Sequence, residues 1–463
     1  MKNNKILIII MVIVLNLVSV VSVGQNFFGD NNKYNSAIES ARELSEQNLC
    51  SQSINKYNEA VAIKDTKEIR NEMLAVYEKG IDSGEFDQMY DIFVAVKGFL
   101  DIYPKDSGMY ASVCKFLIKY EQYEDAVTLL KKAKSIKIFT DELDEITDSI
   151  RFIYKMNYSM YSGVRKASDG VFTVQNETSY SFIGDSAESG LGGGFSYAST
   201  FSEGYAFVKK TNADGKEAAF VIDKNGVRQF YLSNDVVSCS GAGKSYDENG
   251  NEALLYSCLI GGKYQYYNSK GEAVLQQYNF AGRFKNGVAA VEESEGKWHL
   301  IDGAGNYIDN AVFSDVVLND SDECAPGGMI IAATNGKYKI YHLSNDKSMN
   351  FSITEVDGFS CDGADAFAGE YAAFKSGSLW GYVDSDGKIV IEPQYEAAKS
   401  FSNGIAAVFS DSNWNFINSE NKKVITENFE DANYLSDSGK CFIKKDGYWS
   451  YIEMYYVEES DSQ

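Results

Sequence analysis

The chain has 463 residues, with 66 Asp and Glu against 43 Lys and Arg, which gives a formal net charge of −23. This balance argues against nucleic-acid binding through a basic surface, because the phosphate backbone needs a cationic face. A hydrophobic fraction of 44% and an aromatic fraction of 14% are typical of a folded protein, and the length predicts two or three domains. Glycine is frequent (39 residues) while proline is rare (3), which favours strands joined by tight turns.

An apolar run, Ile6 to Val23, follows two lysines at the N-terminus. As a helix rising about 1.5 Å per residue, the run would just span a bilayer core. Small residues at Ser22 to Gly24 would also suit a signal-peptidase site. We therefore expect residues 1–25 to be a signal anchor or a signal peptide. The rest of the chain is then membrane-anchored facing outward, or secreted after cleavage near Gly24.

The cysteines are scattered along the chain, and no two are spaced as C-x-x-C. Such spacing is typical neither of a disulfide scaffold nor of a zinc site. We expect most of them to be small core residues, with one disulfide as the alternative. The sequence predicts no metal site and no cofactor.

Residues 32–156 have a helical hydrophobic period and contain three related stretches. Aligned on Ser53, Met89 and Ala126, they are 36 and 37 residues apart. Units of this length are typical of helix-turn-helix arrays, in which one unit is too small to bury its own apolar face. The segment resembles a tetratricopeptide array of about three units, capped by a helix around Asp141 to Tyr154. An unspecialised helical bundle is the alternative. The segment contains no histidine to support a catalytic role.

After Met156 the pattern changes to short strand-like pieces between Gly, Asn and Asp clusters. One phrase recurs, clearest as Phe401-Ser-Asn-Gly404-Ile-Ala-Ala-Val408 followed by Trp414-Asn-Phe416. Related phrases place an anchor residue at positions 180, 219, 264, 298, 338, 380, 414 and 449. All 4 tryptophans of the chain occupy this anchor position. We infer eight units of one β repeat within residues 160–456.

Each unit contains material for four short strands, which is typical of a propeller blade. A small apolar first strand precedes the anchor strand, and a turn such as Asp386-Gly387 leads to a third strand, Lys388 to Glu392. A short fourth strand returns to the next Phe-x-x-Gly. The sequence predicts an eight-bladed β-propeller, with a seven-bladed ring or an open β-solenoid as alternatives. We expect Tyr158 to Arg165 to supply a missing outer strand of the last unit and close the ring.

Three motifs carry a family resemblance: Gly387-Lys-Ile-Val-Ile-Glu-Pro-Gln-Tyr395, Phe401-x-x-Gly404-x-Ala-Ala-Val408 and Trp380-Gly381-Tyr382-Val383-Asp384. Together they resemble the WG-repeat (KWG) family, most clearly between residues 284 and 453. The resemblance implies a β-repeat domain of the kind common in exported or envelope-associated bacterial proteins. It implies no catalytic residue.

Few residues suggest a catalytic or ligand-binding role. Ser240 to Ser245 resembles the end of a phosphate loop but lacks its first glycine, and we interpret it as a connection between strands. Asp247 to Glu252 and Asp384 to Gly387 cluster oxygen atoms without the loop of a calcium site, and we interpret them as polar turns. His299 and His342 lie beside anchor positions, and the sequence shows no further group that would join them in a zinc or catalytic site. The sequence therefore predicts no catalytic residue, and it leaves the binding residues unknown.

These features predict a non-enzymatic binding or scaffold protein of the bacterial cell envelope or exterior. Its two repeat surfaces would bind a protein or glycan partner, with no nucleic acid, and its N-terminal segment would contact the membrane. A propeller-type hydrolase or lyase acting on envelope polymers is one alternative, and a structural spacer without a ligand is another. We expect residues 457–463 to form an acidic tail.

Overall fold

The computed structural model describes residues 30–165, 168–184, 191–247, 250–346 and 350–456. The apolar run and the acidic tail lie outside these described residues. Among the helices of the described residues, none is both long and apolar enough to cross a bilayer. The chain divides into two compact units between Arg151 and Phe152.

The described part of the first unit, residues 30–151, is helical. Its helices are α1 (residues 30–46), α2 (Cys50–Ile63), α3 (Lys67–Asp82), α4 (Met89–Lys97), α5 (Phe99–Ile102), α6 (Ser107–Lys119), α7 (Tyr123–Ser135) and α8 (Asp141–Ile150). Side chains cap two helix starts, because Thr66 accepts a hydrogen bond from the Ile69 amide and Asp106 accepts one from the Met109 amide. The Glu85 carboxylate accepts from the first two amides of α2 at 2.7 and 2.8 Å.

Side-chain ion pairs link helices of this unit that are not consecutive in the chain. Arg42 on α1 pairs with Glu72 on α3 at 2.6 Å. Lys119 on α6 reaches Glu78 on α3 at 3.0 Å. Another pair, Lys115 with Glu142 at 2.6 Å, joins α6 to α8. Exposed pairs like these stabilise the fold little, but they show that these helices lie side by side along one face.

The alignment of the second helical unit agrees with the structure except at the start of α4. Ser53 and Ala126 are fully buried, as predicted, whereas Met89 begins α4 with 44% of its surface exposed. The later positions of the stretch agree with it, because Phe93 and Val96 of α4 are buried like Tyr57 and Ala60 of α2. The helical segment also ends earlier than residue 156, because α8 stops at Ile150 and the chain is already a strand at Tyr154.

The second unit is an eight-bladed β-propeller, a ring of eight antiparallel sheets. Blade 1 contains β2 (Gly163–Val164), β3 (Val171–Asn176), β4 (Ser179–Gly184) and β5 (Gly193–Phe195), and blade 2 contains β6 (Tyr197–Ala198), β7 (Tyr205–Thr211), β8 (Glu217–Asp223) and β9 (Arg228–Tyr231). Blade 3 contains β10 (Val236–Cys239), β11 (Gly243–Tyr246), β12 (Glu252–Ile260), β13 (Lys263–Asn268) and β14 (Ala273–Tyr278). Blade 4 contains β15 (Phe280–Ala281), β16 (Ala289–Ser294) and β17 (Lys297–Ile301).

Blade 5 contains β18 (Asp315–Val316), β19 (Met329–Thr334), β20 (Lys337–Asn345) and β21 (Phe351–Glu355), and blade 6 contains β22 (Gly363–Ala364), β23 (Ala372–Ser376), β24 (Leu379–Val383) and β25 (Ile389–Tyr395). Blade 7 contains β26 (Ala397–Ala398), β27 (Ile405–Ser410) and β28 (Asn413–Asn418). Blade 8 contains β29 (Asp431–Leu435), β30 (Lys440–Lys445) and β31 (Tyr448–Met454). A 3₁₀ turn, Pro326–Gly328, precedes β19.

Strands from both ends of the unit close the ring. The outer strand of blade 8 is β1 (Tyr154–Tyr161), which pairs with β31 from Tyr154↔Met454 to Asn157↔Tyr451. Closure by an N-terminal strand was predicted from Tyr158 to Arg165, and β1 overlaps that segment at residues 158–161 but begins at Tyr154. The reason is packing, since Tyr154 and Met156 pack on the core of blade 8 while Tyr158 is 84% exposed.

The sequence repeat and the blade are out of phase by one strand. Every anchor position lies on the third strand outward in its blade, for example position 414 on β28, if β10 and β11 of blade 3, which both pair with β12, count as one inner strand. The predicted fourth strand of a unit is instead the first strand of the next blade. β25 and β26 illustrate this, because only Glu396 separates them and yet they belong to neighbouring sheets. Each sequence unit therefore joins two blades.

The four tryptophans lie at equivalent places between neighbouring blades. Trp414 packs on the cluster shared by blades 7 and 8, and Trp380 on the cluster shared by blades 6 and 7. Trp298 and Trp449 do the same at the junctions of blades 4 with 5 and 8 with 1. All four are half-buried rather than fully buried, because the third strand lies towards the outer part of the blade.

Candidate functional site

The recurrent Phe-x-x-Gly phrase forms the turn between the first and second strands of a blade. Phe401 is buried at 2% exposure, and the turn that follows has positive φ at Asn403 (51°) and Gly404 (82°). Ser402 and Ile405 exchange backbone hydrogen bonds across it. Two consecutive left-handed residues are the geometry of a tight hairpin turn, which explains the Asn-Gly pair.

These turns meet at one end of the ring. A cavity of about 680 Å³, the mouth cavity, is lined by turn residues from six blades. Blades 1, 4 and 7 supply Asp169, Lys285 and Ser402, among others. Since turns from opposite sides of the ring share one cavity, the first strand of each blade faces the central axis. The mouth cavity is therefore the opening of the central channel on this side.

A long loop closes the channel below the mouth cavity. Between β18 and β19 the chain runs through residues 317–328, whereas the equivalent connection in blade 2 is only residues 199–204. We name residues 317–328 the plug. Asn319 and Glu323 line the mouth cavity, while Asp320 and Asp322 line a second cavity of about 60 Å³. Ser321 lines both cavities, so the plug lies between them.

A buried ion pair holds the plug in place. The guanidinium group of Arg283, 1% exposed, lies 3.1 Å from the Glu323 carboxylate and donates a hydrogen bond to the Thr200 hydroxyl at 3.2 Å. These residues come from blades 4, 5 and 2. The Arg283 amide also donates to the Asp322 carbonyl at 2.8 Å, and a Cβ at Gly282 would lie only 2.7 Å from that carbonyl. Glycine is therefore required where the plug meets blade 4.

Two carboxyl groups near the channel axis have raised pKa values. Burial raises the pKa of Asp322, although the Arg283 and Arg165 guanidinium groups oppose this. Burial also raises the pKa of Asp365, against hydrogen bonds from the Tyr434 hydroxyl at 2.6 Å and the Ser400 amide at 2.7 Å. A hydrolase would need such a group facing substrate, but neither carboxyl group lines the mouth cavity.

Replacing Asp365 by Asn should change how stability depends on pH. In the native chain the folded state holds the Asp365 proton more tightly than the unfolded state, so the stability gained by protonation is present below about pH 4. It is lost as the pH rises through the raised pKa of the folded state. Asn stays neutral and can still accept both hydrogen bonds. Urea unfolding gives the free energy of unfolding of Asp365→Asn and of the native chain at each pH. The value for the variant minus the value for the native chain should be greater at pH 7 than at pH 4. A difference independent of pH would contradict the raised pKa.

The residues considered from sequence lie in the sheets and turns. His299 is 3% exposed, stacks on Tyr307 at 4.1 Å and lies with Nδ1 3.0 Å from the Ala311 carbonyl oxygen. His342 lies on β20. Gly243 begins the strand β11, and a Cβ there would lie 2.6 Å from the Phe284 amide nitrogen, so this glycine serves packing between blades.

The oxygen-rich turn at Asp384 is organised by its own backbone. One carboxylate oxygen of Asp384 accepts hydrogen bonds from the amides of Asp386 (3.1 Å) and Lys388 (2.8 Å). Asn418 and Asp302 accept in the same way in their blades. This recurring turn explains the abundance of Asp and Asn. Within the described ranges, no group of three or more His, Cys, Asp or Glu is placed to hold a metal ion.

One disulfide lies beside the second cavity. Cys239 on β10 and Cys258 on β12 are register partners in blade 3 and are bonded to each other. The remaining cysteines, Cys50, Cys114, Cys324, Cys361 and Cys441, are buried and free. The alternative of a single disulfide is therefore what the structure contains.

The mouth cavity and the plug were missed by sequence reasoning. The turn residues of Phe-x-x-Gly were visible, but their convergence depends on closure of the ring. The plug had one usable signal, which is the unusual length of polar sequence between Val316 and Met329.

Comparisons with known proteins support the repeat. The model of the WG containing repeat matches residues 194–212, 266–298 and 380–414, and each match spans the junction of two blades. No curated protein matches the chain. BamB from Moraxella catarrhalis is similar over 65% of this chain and 99% of its own, at 11% identity and a TM-score of 0.40. The WD40 domain of SCAP from fission yeast is similar over 65% and 97%, at 9% identity and a TM-score of 0.37. The chain therefore carries WG repeats, matched at three blade junctions of an eight-bladed β-propeller.

Proposed function

We propose that this chain is a non-enzymatic binding protein of the bacterial cell envelope or exterior, and that its propeller holds a protein or glycan partner at the mouth cavity. One observation carries the proposal, namely that turns from six blades converge on a cavity of about 680 Å³. This volume is within the usual range of ligand sites. The blades themselves are filled by apolar clusters, so the turns are free to serve recognition.

The closed floor of the cavity supports binding rather than passage. The plug lies across the channel, and the buried Arg283–Glu323 pair ties it to blade 4. A partner entering the mouth therefore meets a fixed, preorganised surface, which lowers the entropy cost of binding. The helical array supplies a second surface, on which α4 exposes Tyr90 and Val94.

Export is part of the proposal. The apolar run Ile6 to Val23 would direct the chain out of the cytoplasm, and a disulfide persists in an oxidising compartment. The mass of the mature chain distinguishes a retained anchor from cleavage near Gly24.

Thiol counting should report the oxidising compartment. In protein taken from its natural location, alkylation under denaturing conditions without a reductant should modify every cysteine except Cys239 and Cys258. After reduction all the cysteines should react. Protein kept in the cytoplasm by deletion of residues 1–25 serves as the control, with both thiols reactive. Full reactivity in the natural protein would contradict export to an oxidising space.

Blocking the mouth cavity should abolish partner capture. Glu370 and Asp437 are exposed residues of its lining, so Glu370→Trp and Asp437→Trp should fill the opening without disturbing the core. Glu420→Trp makes the same change in a turn outside the lining and is the control. Capture from an envelope extract, followed by protein and glycan analysis, should fail for the first two variants only. Equal capture by all three would refute the site. Release of soluble fragments from envelope polymers would favour the hydrolase or lyase.

A further inference from the structure

The lining of the mouth cavity is unbalanced in charge. It contains Asp169, Glu323, Glu370 and Asp437 but only one cation, Lys285. Glu323 is neutralised by Arg283 at 3.1 Å. Lys285 is 4.0 Å from Glu203, which adds a carboxylate beside the cavity. Lys224 lies 3.8 Å from Asp169 and offsets its charge. Glu370 and Asp437 therefore leave the opening with a negative net charge, as the whole chain has.

The floor of the cavity carries a polar group without a partner. Ser321, on the plug, is 8% exposed and lines the cavity. Its amide donates to the Asn319 side chain, but its hydroxyl makes no hydrogen bond within the described part of the chain. A hydroxyl on a residue that is nine-tenths enclosed, and that lines a cavity, gains most from a ligand that donates or accepts a hydrogen bond there.

Apolar residues of three blades contribute to the lining. Phe367 and Leu435, 4% and 6% exposed, line the cavity together with Met329. Carboxylates at the opening, apolar groups in the lining and a hydroxyl at the floor match a chain of methylene groups that ends in an ammonium group. The methylene groups would pack on the apolar groups while the ammonium donates to oxygen atoms.

We propose that the mouth cavity recognises an alkylammonium group, carried either by a lysine side chain of a protein partner or by a free polyamine. This inference rests on the proposed binding function and names the chemistry of its ligand. Glu370 and Asp437 supply the electrostatic attraction, and the Ser321 hydroxyl accepts a hydrogen bond from the ammonium group. Exposed carboxylates also raise the association rate of a cationic ligand, so binding weakens as salt increases.

Calorimetric titration of the full chain tests the proposal with two probes, a short Lys-Ser peptide and spermidine. Glu370→Gln combined with Asp437→Asn keeps the shape of the cavity and removes two charges. This double variant should weaken binding at least about tenfold, and Ser321→Ala several-fold. Glu295→Gln combined with Glu420→Gln changes the net charge equally, outside the lining, and should leave the affinity within about twofold. The Lys-acetylated peptide should not bind.

The outcomes separate the two claims. Binding of the peptide alone identifies a protein side chain as the source of the ammonium group, and binding of spermidine alone identifies a polyamine. Equal losses in both double variants, equal binding of the acetylated peptide, or no binding of either probe would overturn the cationic ligand. If Glu370→Trp abolishes partner capture while the amide variants retain it, the binding function stands and only the ligand class fails.

Discussion

Lys155→Pro should destabilise the propeller by about 3 kcal/mol or more, because it breaks the strand that closes the ring. The Tyr455 amide donates to the Ile153 carbonyl at 3.0 Å, so alternation along the antiparallel ladder makes Lys155 and Glu453 the next hydrogen-bonded pair. Proline at 155 removes that donor. It would also loosen the pairing that covers the edge of β31, leaving an exposed strand edge in the last blade.

Lys155→Ala is the matched control. It removes the ion pair of Lys155 with Glu453 at 3.5 Å but keeps the backbone donor, and an exposed pair of this kind contributes less than about 1 kcal/mol. Urea unfolding followed by tryptophan fluorescence reports the propeller alone, since the 4 tryptophans all lie in it. Similar losses for the two variants would show that β1 does not close the ring.

Truncation of the interblade tryptophans should have the next largest effect. Trp414→Ala and Trp380→Ala each remove a half-buried ring from a cluster shared by two blades, and each should cost about 2–4 kcal/mol. This loss of unfolding free energy is smaller than for a fully buried tryptophan, because part of the ring faces solvent. Since each cluster joins two blades, the loss should reduce cooperativity between neighbours.

Circular dichroism during heating measures this effect. The melting temperature should fall on the order of 5–10 °C for each variant. Tyr158→Ala removes an aromatic ring that is 84% exposed and should change it by no more than a degree or two. If the tryptophan variants melt with the native chain, the ring of tryptophans is a surface for ligands rather than a set of blade junctions.

The repeat could be predicted because each unit repeats one local pattern. Trp298, Trp380, Trp414 and Trp449 defined the register, and every anchor lies on a third strand. The phase of the blades could not be predicted, because a two-residue strand such as β26 carries too little pattern to assign it to a sheet. The pairing of Cys239 with Cys258 depends on the register of β10 with β12, which their spacing in sequence does not reveal.

The helical repeat shows the same limit. In α4 the repeat positions Phe93 and Val96 are buried. Met89 and Tyr90 are exposed, although the repeat aligns them with buried residues of the other units, and only packing decides this. The mouth cavity could not be predicted from the sequence at all. Its lining comes from turns of six blades whose sequences are individually unremarkable, and only the closed ring brings them together.

Photo-crosslinking from the mouth cavity tests the central claim most directly. A benzophenone side chain placed at position 370, in the lining, should form a covalent adduct with the partner in envelope extract. The same group at position 420, on a turn outside the lining, should form little or none. A lysine-rich peptide in excess should suppress the adduct at position 370. Adducts of equal yield from both positions, or adducts from position 420 alone, would contradict binding at the mouth of the propeller.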